Sequence, residues 1–149
     1  MEPITQDEMP PPSNDPEVTE TYVRHRLDDW FKRLGTLLSD IRVWGHNHGW
    51  TVEDAAPIPM NEEIMQRFDI DERLQPAMTL RDPSHREIWV WPKALWVIGA
   101  NGRVDIFSRK GVFVLIDRAE PFQPPQWCLY KAGQGYGRVF DPDQLEDVA

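Results

Sequence analysis

The stretch Ile88–Asp117 reads IWVWPKALWVIGANGRVDIFSRKGVFVLID, and it is the most apolar run of the chain. Two of its apolar segments, Leu95–Ile98 and Arg103–Phe107, are separated by four residues that end in Asn101-Gly102. Asn-Gly between apolar segments predicts a β-hairpin with a type I′ turn, because both residues tolerate a positive φ.

This turn also predicts the register of the hairpin. The expected pairs are Ala100 with Arg103, Ile98 with Asp105, Val97 with Ile106, and Trp96 with Phe107. Side chains alternate across a strand, so we expect two faces: Leu95, Val97, Val104 and Ile106 on one, and Trp96, Ile98, Arg103, Asp105 and Phe107 on the other. Both faces are largely apolar, which predicts that both are covered.

Two more strands are predicted beside the hairpin. Val112–Asp117 follows a turn that ends in Gly111. Ile88–Trp91 precedes the hairpin, and Pro92 is expected to end it at an edge or a bend of the sheet. The central stretch is therefore predicted to form an antiparallel meander that spans residues 94–117.

A long helix is predicted on the N-terminal side of the meander. Apolar residues recur there at spacings of three and four: Val23, Leu27, Trp30, Leu34, Leu37, Ile41 and Trp44. Asp15 is the predicted N-cap, Pro16 the first helical residue, and Gly45 the C-terminal stop. We expect the apolar stripe to pack on the sheet, and a homodimer through the long helix is the alternative.

Shorter elements fill the rest of the chain. Trp50–Glu53 and Ala77–Arg81 are predicted strands, Asp54–Met60 a proline-containing connection, and the segment from Asn61 a short second helix. After Asp117 the chain is rich in proline and is expected to be extended. The predicted fold class is α+β, with a long N-terminal amphipathic helix packed on an antiparallel β-meander and a short second helix.

Length, composition and charge define the domain organisation. The chain has 149 residues, of which 40% are hydrophobic, and this is enough for a single domain over residues 15–140. The net charge of −9 comes from two ends without Lys or Arg: five acids in residues 1–17 and four in 141–149. We interpret residues 1–14 as a disordered, acidic, proline-rich arm, and 141–149 as an acidic tail or a short helix.

The same features restrict location and partners. A single cysteine, Cys128, excludes an intramolecular disulfide and fits a reducing compartment. The first residues lack the basic and apolar regions of a signal peptide, and no apolar segment reaches transmembrane length. We therefore expect a cytoplasmic protein that is not bound to a membrane. Lys and Arg form no cluster, so nucleic acid is an improbable partner.

Arg103 and Asp105 are the first candidate site. A carboxylate close to tryptophans can serve as an acid or a base, which suggests a small hydrolase or a metal-dependent nuclease. Such a nuclease would also carry Glu-x-Lys on the next strand, and the sequence has none after Asp105. The alternative is an ion pair at the rim of the hairpin.

Tryptophans and histidines provide two further candidates. Trp89 and Trp91 share a face of their strand and, with Trp96 nearby, could stack against a small ligand, although burial in the core is the simpler role. His46 and His48 form an H-x-H pair that could bind a metal, but no other ligand stands at a recognisable spacing.

The sequence contains no serine nucleophile elbow, CxxC pair, HExxH motif or Walker loop. We therefore predict a non-catalytic protein-interaction module of adaptor, regulatory or neutralising type, with an unidentified protein partner and no cofactor. The alternatives are an enzyme that uses Asp105 and a small-ligand binder that uses the face of Trp89 and Trp91.

Overall fold

The protein is described by a computed structural model that covers residues 18–135 and 137–149. The fold is α+β, with a long N-terminal helix on a seven-stranded antiparallel meander, as predicted. The elements are α1 (Glu20–Asn47), β1 (Thr51–Met60), α2 (Glu63–Arg67), β2 (Arg73–Arg81), β3 (Glu87–Ala94), β4 (Arg103–Ser108), β5 (Gly111–Asp117), β6 (Trp127–Lys131), β7 (Arg138–Val139) and α3 (Leu145–Val148). The predicted arm at residues 1–14 lies outside the described residues, as do Asp15 and Pro16.

The helix α1 begins later than the sequence suggested. Thr19 is extended, and its hydroxyl accepts a hydrogen bond from the amide of Tyr22 at 3.1 Å. A hydroxyl in this position satisfies an amide that has no partner within the helix, so Thr19 is the N-cap and Glu20 the first helical residue. The predicted start at Pro16 was therefore wrong.

The end of α1 also differs from the prediction. The helix continues through Gly45 to Asn47, and the chain turns at Gly49, which has a φ of +77°. Gly45 is buried inside the last turn, where a Cβ would lie 2.8 Å from Cγ2 of Val52. The glycine allows close packing of the helix on the sheet, and it does not stop the helix.

The apolar stripe of α1 forms the core together with the sheet. All seven of its residues are buried: Val23, Leu27, Trp30, Leu34, Leu37, Ile41 and Trp44. The same core contains one face of the meander, namely Met78, Leu80, Ile88, Val90, Val104, Ile106, Leu115 and Leu129. The stripe that suggested a homodimer seam is thus buried within a single chain.

The sheet follows chain order from β1 to β7, and each strand pairs antiparallel with the next. Its edge strand β1 extends to Met60, so the predicted connection over Asp54–Met60 was wrong. Pro57 lies at a register shift between Ala55 and Ile58. Prolines are tolerated at such places, because an edge strand needs hydrogen bonds on one side only.

The hairpin between β3 and β4 has a different register from the predicted one. Trp89 pairs with Phe107, and Trp91 pairs with Asp105. Pro92 does not end β3, although it lies beyond Val90, the last residue that pairs with β2. The predicted pairs of Trp96, Val97, Ile98 and Ala100 with β4 were therefore wrong.

Residues 95–102 form a loop instead of a strand and a tight turn. Gly102 has a φ of +117°, but Asn101 is not among the residues with positive φ, so a type I′ turn does not form. The carboxylate of Glu62 accepts hydrogen bonds from the amides of Leu95 and Trp96 at 2.9 and 3.2 Å. These contacts hold the loop in a position that local propensity does not specify.

The helices lie on one face of the sheet. Residues of α1, α2 and α3 belong to the same core cluster. In the described part of the chain, no helix packs on the opposite face. The prediction that both faces are covered is therefore wrong at Trp89 and Trp91, which are exposed, although Asp105 and Val114 of the same face are buried. We call this surface the open face. Its central part consists of Trp89, Trp91, Arg103, Asp105, Phe107, Val112, Val114, Ile116, Cys128 and Tyr130, and Glu53, Thr79, Arg81 and Glu87 extend it toward β1.

The last residues form a short helix, which was one of the two structures predicted for 141–149. In α3, Leu145 and Val148 are buried, and Glu146 lies 3.3 Å from the guanidinium of Arg86. None of the helices described here combines the length and the apolar character that are needed to cross a bilayer.

Candidate functional site

The open face is built from three rows of side chains that cross the sheet. Each row follows the strand register: Trp89, Phe107 and Val112; then Trp91, Asp105, Val114 and Tyr130; then Arg103, Ile116 and Cys128. Directly opposed residues have Cβ atoms about 5 Å apart, so the rows form one continuous surface. Most of its members are apolar or aromatic.

Two tryptophans project from this surface. Trp89 is 39% exposed and Trp91 is 38% exposed, although indoles usually contribute buried area. The ring of Trp91 packs edge-on against Phe107, with centroids 6.2 Å apart and an interplanar angle of 87°. This packing orients the indole without covering it.

Arg103 and Asp105 form an ion pair in the middle of the apolar rows. They lie on the same side of β4, and Nε of Arg103 is 2.7 Å from Oδ1 of Asp105. Asp105 is buried between its strand partners Trp91 and Val114, whereas Arg103 is partly exposed. The guanidinium therefore neutralises a carboxylate that would otherwise be buried without a partner.

Positively charged side chains lie at both ends of the three rows of the open face. Lys93 and Arg118 lie near the loop that joins β3 to β4, and Arg109 lies at the opposite end, in the turn after β4. No salt bridge joins any of the three to a carboxylate of residues 18–135 or 137–149. Arg118 donates to the hydroxyl of Tyr130 at 2.7 Å and lies 5.4 Å from the centre of its ring.

The remaining charges of the open face are largely paired. Arg81 and Glu87 approach to 2.5 Å, and hydrogen bonding from Arg81 holds the pKa of Glu87 below its ordinary value. Glu53 lies on β1, at the edge of the same face. Among the residues that the structure describes, the face and its two ends thus carry five cations and three carboxylates: Arg81, Lys93, Arg103, Arg109 and Arg118 against Glu53, Glu87 and Asp105.

Two depressions adjoin the aromatic rows. One has a volume of about 360 Å³ and is lined by Trp89, Phe107 and Arg109, among others. The second has about 280 Å³ and lies between Val114, Tyr130 and the loop after β6. Both open onto the surface of the sheet, so side chains of another molecule could enter them.

Trp96 does not belong to this surface. It was predicted to share a face with Asp105, but it lies in the loop after β3, with its ring 5.8 Å from the guanidinium of Arg26 on α1. The prediction was wrong because it depended on the hairpin register. The structure therefore brings Trp89 and Trp91 together with Arg103 and Asp105, and separates Trp96 from them.

The histidine pair lies at the C-terminal end of α1. His48 is the C-cap residue, its Nδ1 is 2.8 Å from the carbonyl oxygen of Trp44, and its ring stacks on Trp44 with centroids 4.7 Å apart. His46 is exposed in the last turn. Among the residues that the structure describes, no group of three His, Cys, Asp or Glu side chains is arranged to hold a metal ion.

Several residues of the open face were not recognised from the sequence. Val112, Val114 and Ile116 were assigned to a strand, and only their alternation with Phe113 and Leu115 could have placed them on one surface. Tyr130 and Arg118 are distant from β3 in sequence, so the register of β5 and β6 was needed to find them.

Comparison of the chain with protein-family models, with curated proteins and with solved structures finds no match. Function is therefore inferred from the geometry and the charge of the open face.

Proposed function

We propose that the protein is a non-catalytic interaction module that binds a protein partner through the open face. The observation that carries this proposal is the exposure of Trp89 and Trp91 on a largely apolar sheet face, against which none of the described helices packs. Contiguous apolar surfaces on soluble proteins are commonly binding sites. An adaptor, regulatory or neutralising role in the cytoplasm, without a cofactor, is part of the proposal.

The composition of the open face supports a protein partner. Tryptophan, tyrosine and arginine are enriched among the residues that dominate interface energies, and all three occur here. Trp91 lies near the centre, with Phe107 and the paired Asp105 beside it. Charged residues such as Lys93 and Arg109 lie at the ends, which resembles the apolar centre and polar rim of known interfaces.

The enzyme alternative has less support from the geometry. Asp105 is hydrogen-bonded to Arg103, which leaves its carboxylate paired within the apolar rows. A hydrolase or metal-dependent nuclease would need further acids, bases or metal ligands around it. In the described parts of the chain, no suitable group of three metal ligands includes Asp105.

A small-ligand site at Trp89 and Trp91 is also less well supported. The two depressions are open on one side, whereas ligand sites bury most of the ligand and direct several polar groups toward it. The polar groups beside Trp91 are Arg103 and Asp105, and these satisfy each other. A broad partner surface fits this arrangement better than a small molecule.

The experiment is affinity capture from the native host followed by binding measurements with the purified partner. We expect Trp91→Ala to weaken binding by about 2 kcal/mol or more, as is typical of a central aromatic residue. Val43→Ala is the matched control, because Val43 is exposed on α1, away from the sheet. Equal affinities of wild type, Trp89→Ala and Trp91→Ala would exclude the open face as the binding site.

A further inference from the structure

We infer that the partner of the open face is an acidic protein segment, whose apolar side chains cover the aromatic rows and whose carboxylates meet Lys93, Arg109 and Arg118. This inference rests on the proposed function and adds the chemistry of the partner to it. It is based on the position of the cations around the rows and on their lack of acidic partners in the described chain.

The three cations are placed where a partner crossing the rows would meet them. Lys93 and Arg118 lie at one end of the strands and Arg109 at the other, so positive charge borders the apolar centre on two sides. Lys93 and Arg109 are exposed, and Arg118 is held at the surface by its hydrogen bonds to Tyr130. Complementary charges at a rim orient a partner and accelerate its association.

The other charged residues of the open face do not neutralise Lys93, Arg109 and Arg118. Glu87 is engaged by Arg81, and Asp105 is engaged by Arg103. Glu53 is the remaining carboxylate that the described chain places on the face, and it lies on the edge strand β1, apart from the aromatic rows. A partner segment with acidic residues on both sides of an apolar centre therefore complements the surface.

A second copy of the chain is a poorer occupant. In a two-fold pairing of open faces, the same patch meets itself, so the cations of one copy would approach those of the other. Like charges that face each other across an interface oppose association. The surplus of five cations over three carboxylates on this face thus disfavours a face-to-face dimer.

Single-stranded nucleic acid is also a poorer occupant, although aromatic and basic residues occur together here. Nucleic-acid surfaces combine stacking residues with a basic track along the phosphates. The open face instead carries the partly exposed aliphatic residues Val112 and Ile116, and it also carries carboxylates.

The probe is a random library of phage-displayed peptides of about ten residues, selected on the immobilised full-length protein. Such a peptide spans about 33 Å when extended, at about 3.3 Å per residue, which is enough to cross the rows. Peptides that also bind immobilised Trp91→Ala are discarded. We expect the remaining peptides to combine Asp or Glu with aromatic or aliphatic residues, in clear excess over the unselected library.

The selected peptides are then synthesised and their affinities measured with a charge-reversal variant, Lys93→Glu with Arg109→Glu. Both side chains are exposed, so the fold is expected to persist, and circular dichroism checks this. Binding should weaken about tenfold or more at about 50 mM salt, and the difference should shrink at about 500 mM, because exposed charges are screened. Lys32→Glu, an exposed change on α1, is the control and should leave affinity unchanged.

The outcomes separate this inference from the proposed function. The inference would be overturned if the peptides whose binding requires Trp91 were not enriched in Asp or Glu and bound the charge-reversal variant as tightly as wild type. The proposed function would then remain intact. Absence of any peptide that needs Trp91 would overturn both. Binding of labelled oligodeoxythymidine that is lost in Trp91→Ala would also overturn both, in favour of nucleic acid. Self-association in sedimentation that Trp91→Ala abolishes would replace the acidic partner with a second copy.

Discussion

Arg33 of α1 and Asp117 at the end of β5 form a buried ion pair, in which Nη1 lies 2.6 Å from Oδ2 and the side chains are 3% and 0% exposed. The other oxygen of Asp117 accepts hydrogen bonds from the amides of Ala119 and Gln126, both at 2.9 Å. Arg33 also donates to the carbonyl oxygen of Gln123. The pair therefore connects the helix, the sheet and the proline-rich segment after β5.

Removal of one partner of this pair should destabilise the protein strongly. In Arg33→Met, the carboxylate of Asp117 stays buried without its cation, which typically costs about 3–5 kcal/mol. We expect a loss of this size in the free energy of unfolding, measured by urea denaturation. Arg24→Met is the control: Arg24 pairs with Glu20 in solvent, and exposed pairs contribute about 0–1 kcal/mol. Losses of similar size in the two variants would contradict the structural role of the buried pair.

The burial of the apolar stripe of α1 can be tested by shortening a single side chain. Leu34 is fully buried, so Leu34→Ala should lower the free energy of unfolding by about 2–5 kcal/mol through the lost contacts and the cavity left behind. Val43 is 55% exposed on the same helix, and Val43→Ala should change stability by less than about 0.5 kcal/mol. A change below about 1 kcal/mol in Leu34→Ala would show that the stripe is not packed in the monomer.

The helix α1 and the strands β4 and β5 could be predicted because their signals are local. The periodicity of apolar residues such as Leu27, Leu34 and Ile41 specifies one face of a helix, whatever that helix packs against. The alternation around Arg103 and Asp105 likewise placed both on one face of a strand, and they do form an ion pair. The pair lies within the apolar rows, however, and not at the rim of the hairpin as predicted.

The loop over residues 95–102 could not be predicted because its determinants are distant in sequence. The carboxylate of Glu62 binds the amides of Leu95 and Trp96, and the amide of Asn101 donates to the carbonyl oxygen of Asp117 at 2.8 Å. Asn-Gly favours a tight turn locally, but these long-range contacts override it. The position of Trp96 and the composition of the open face depend on the same register, so neither followed from the sequence.

Gly102 should be the least replaceable glycine of this loop. It has a φ of +117°, and a Cβ there would lie 2.1 Å from Cζ3 of the buried Trp30. Gly111 has a nearly equal φ of +121°, but open space around its Cα. Both alanine variants therefore carry the backbone strain, and only Gly102→Ala adds a clash with the core. We expect Gly102→Ala to have the lower melting temperature by at least several degrees. Equal values would show that the loop can shift away from Trp30.

The contribution of Glu62 to the stability of the folded protein should depend on pH. Burial raises the pKa of its carboxyl group above the ordinary value of 4.5, although the amides of Leu95 and Trp96 and the charge of Arg26 act in the opposite direction. The folded protein therefore retains a proton that the unfolded chain releases just above pH 4.5. The stability from this group is complete below that pH and is lost as the pH rises through the folded pKa.

The variant Glu62→Gln removes this titration, and its effect on stability should change with pH in a defined direction. Glutamine resembles the protonated carboxyl group, with one acceptor oxygen and one donor group beside two backbone N–H donors, so the variant should have nearly the stability of wild type near pH 4. Toward pH 7 wild type loses its own contribution, so its free energy of unfolding should fall relative to that of the variant. Denaturation at several pH values measures this, and Glu63→Gln, an exposed change at the next position, controls for net charge. If wild type instead gained stability relative to the variant as the pH rises, the two amides and Arg26 would stabilise the ionised carboxylate more than burial destabilises it.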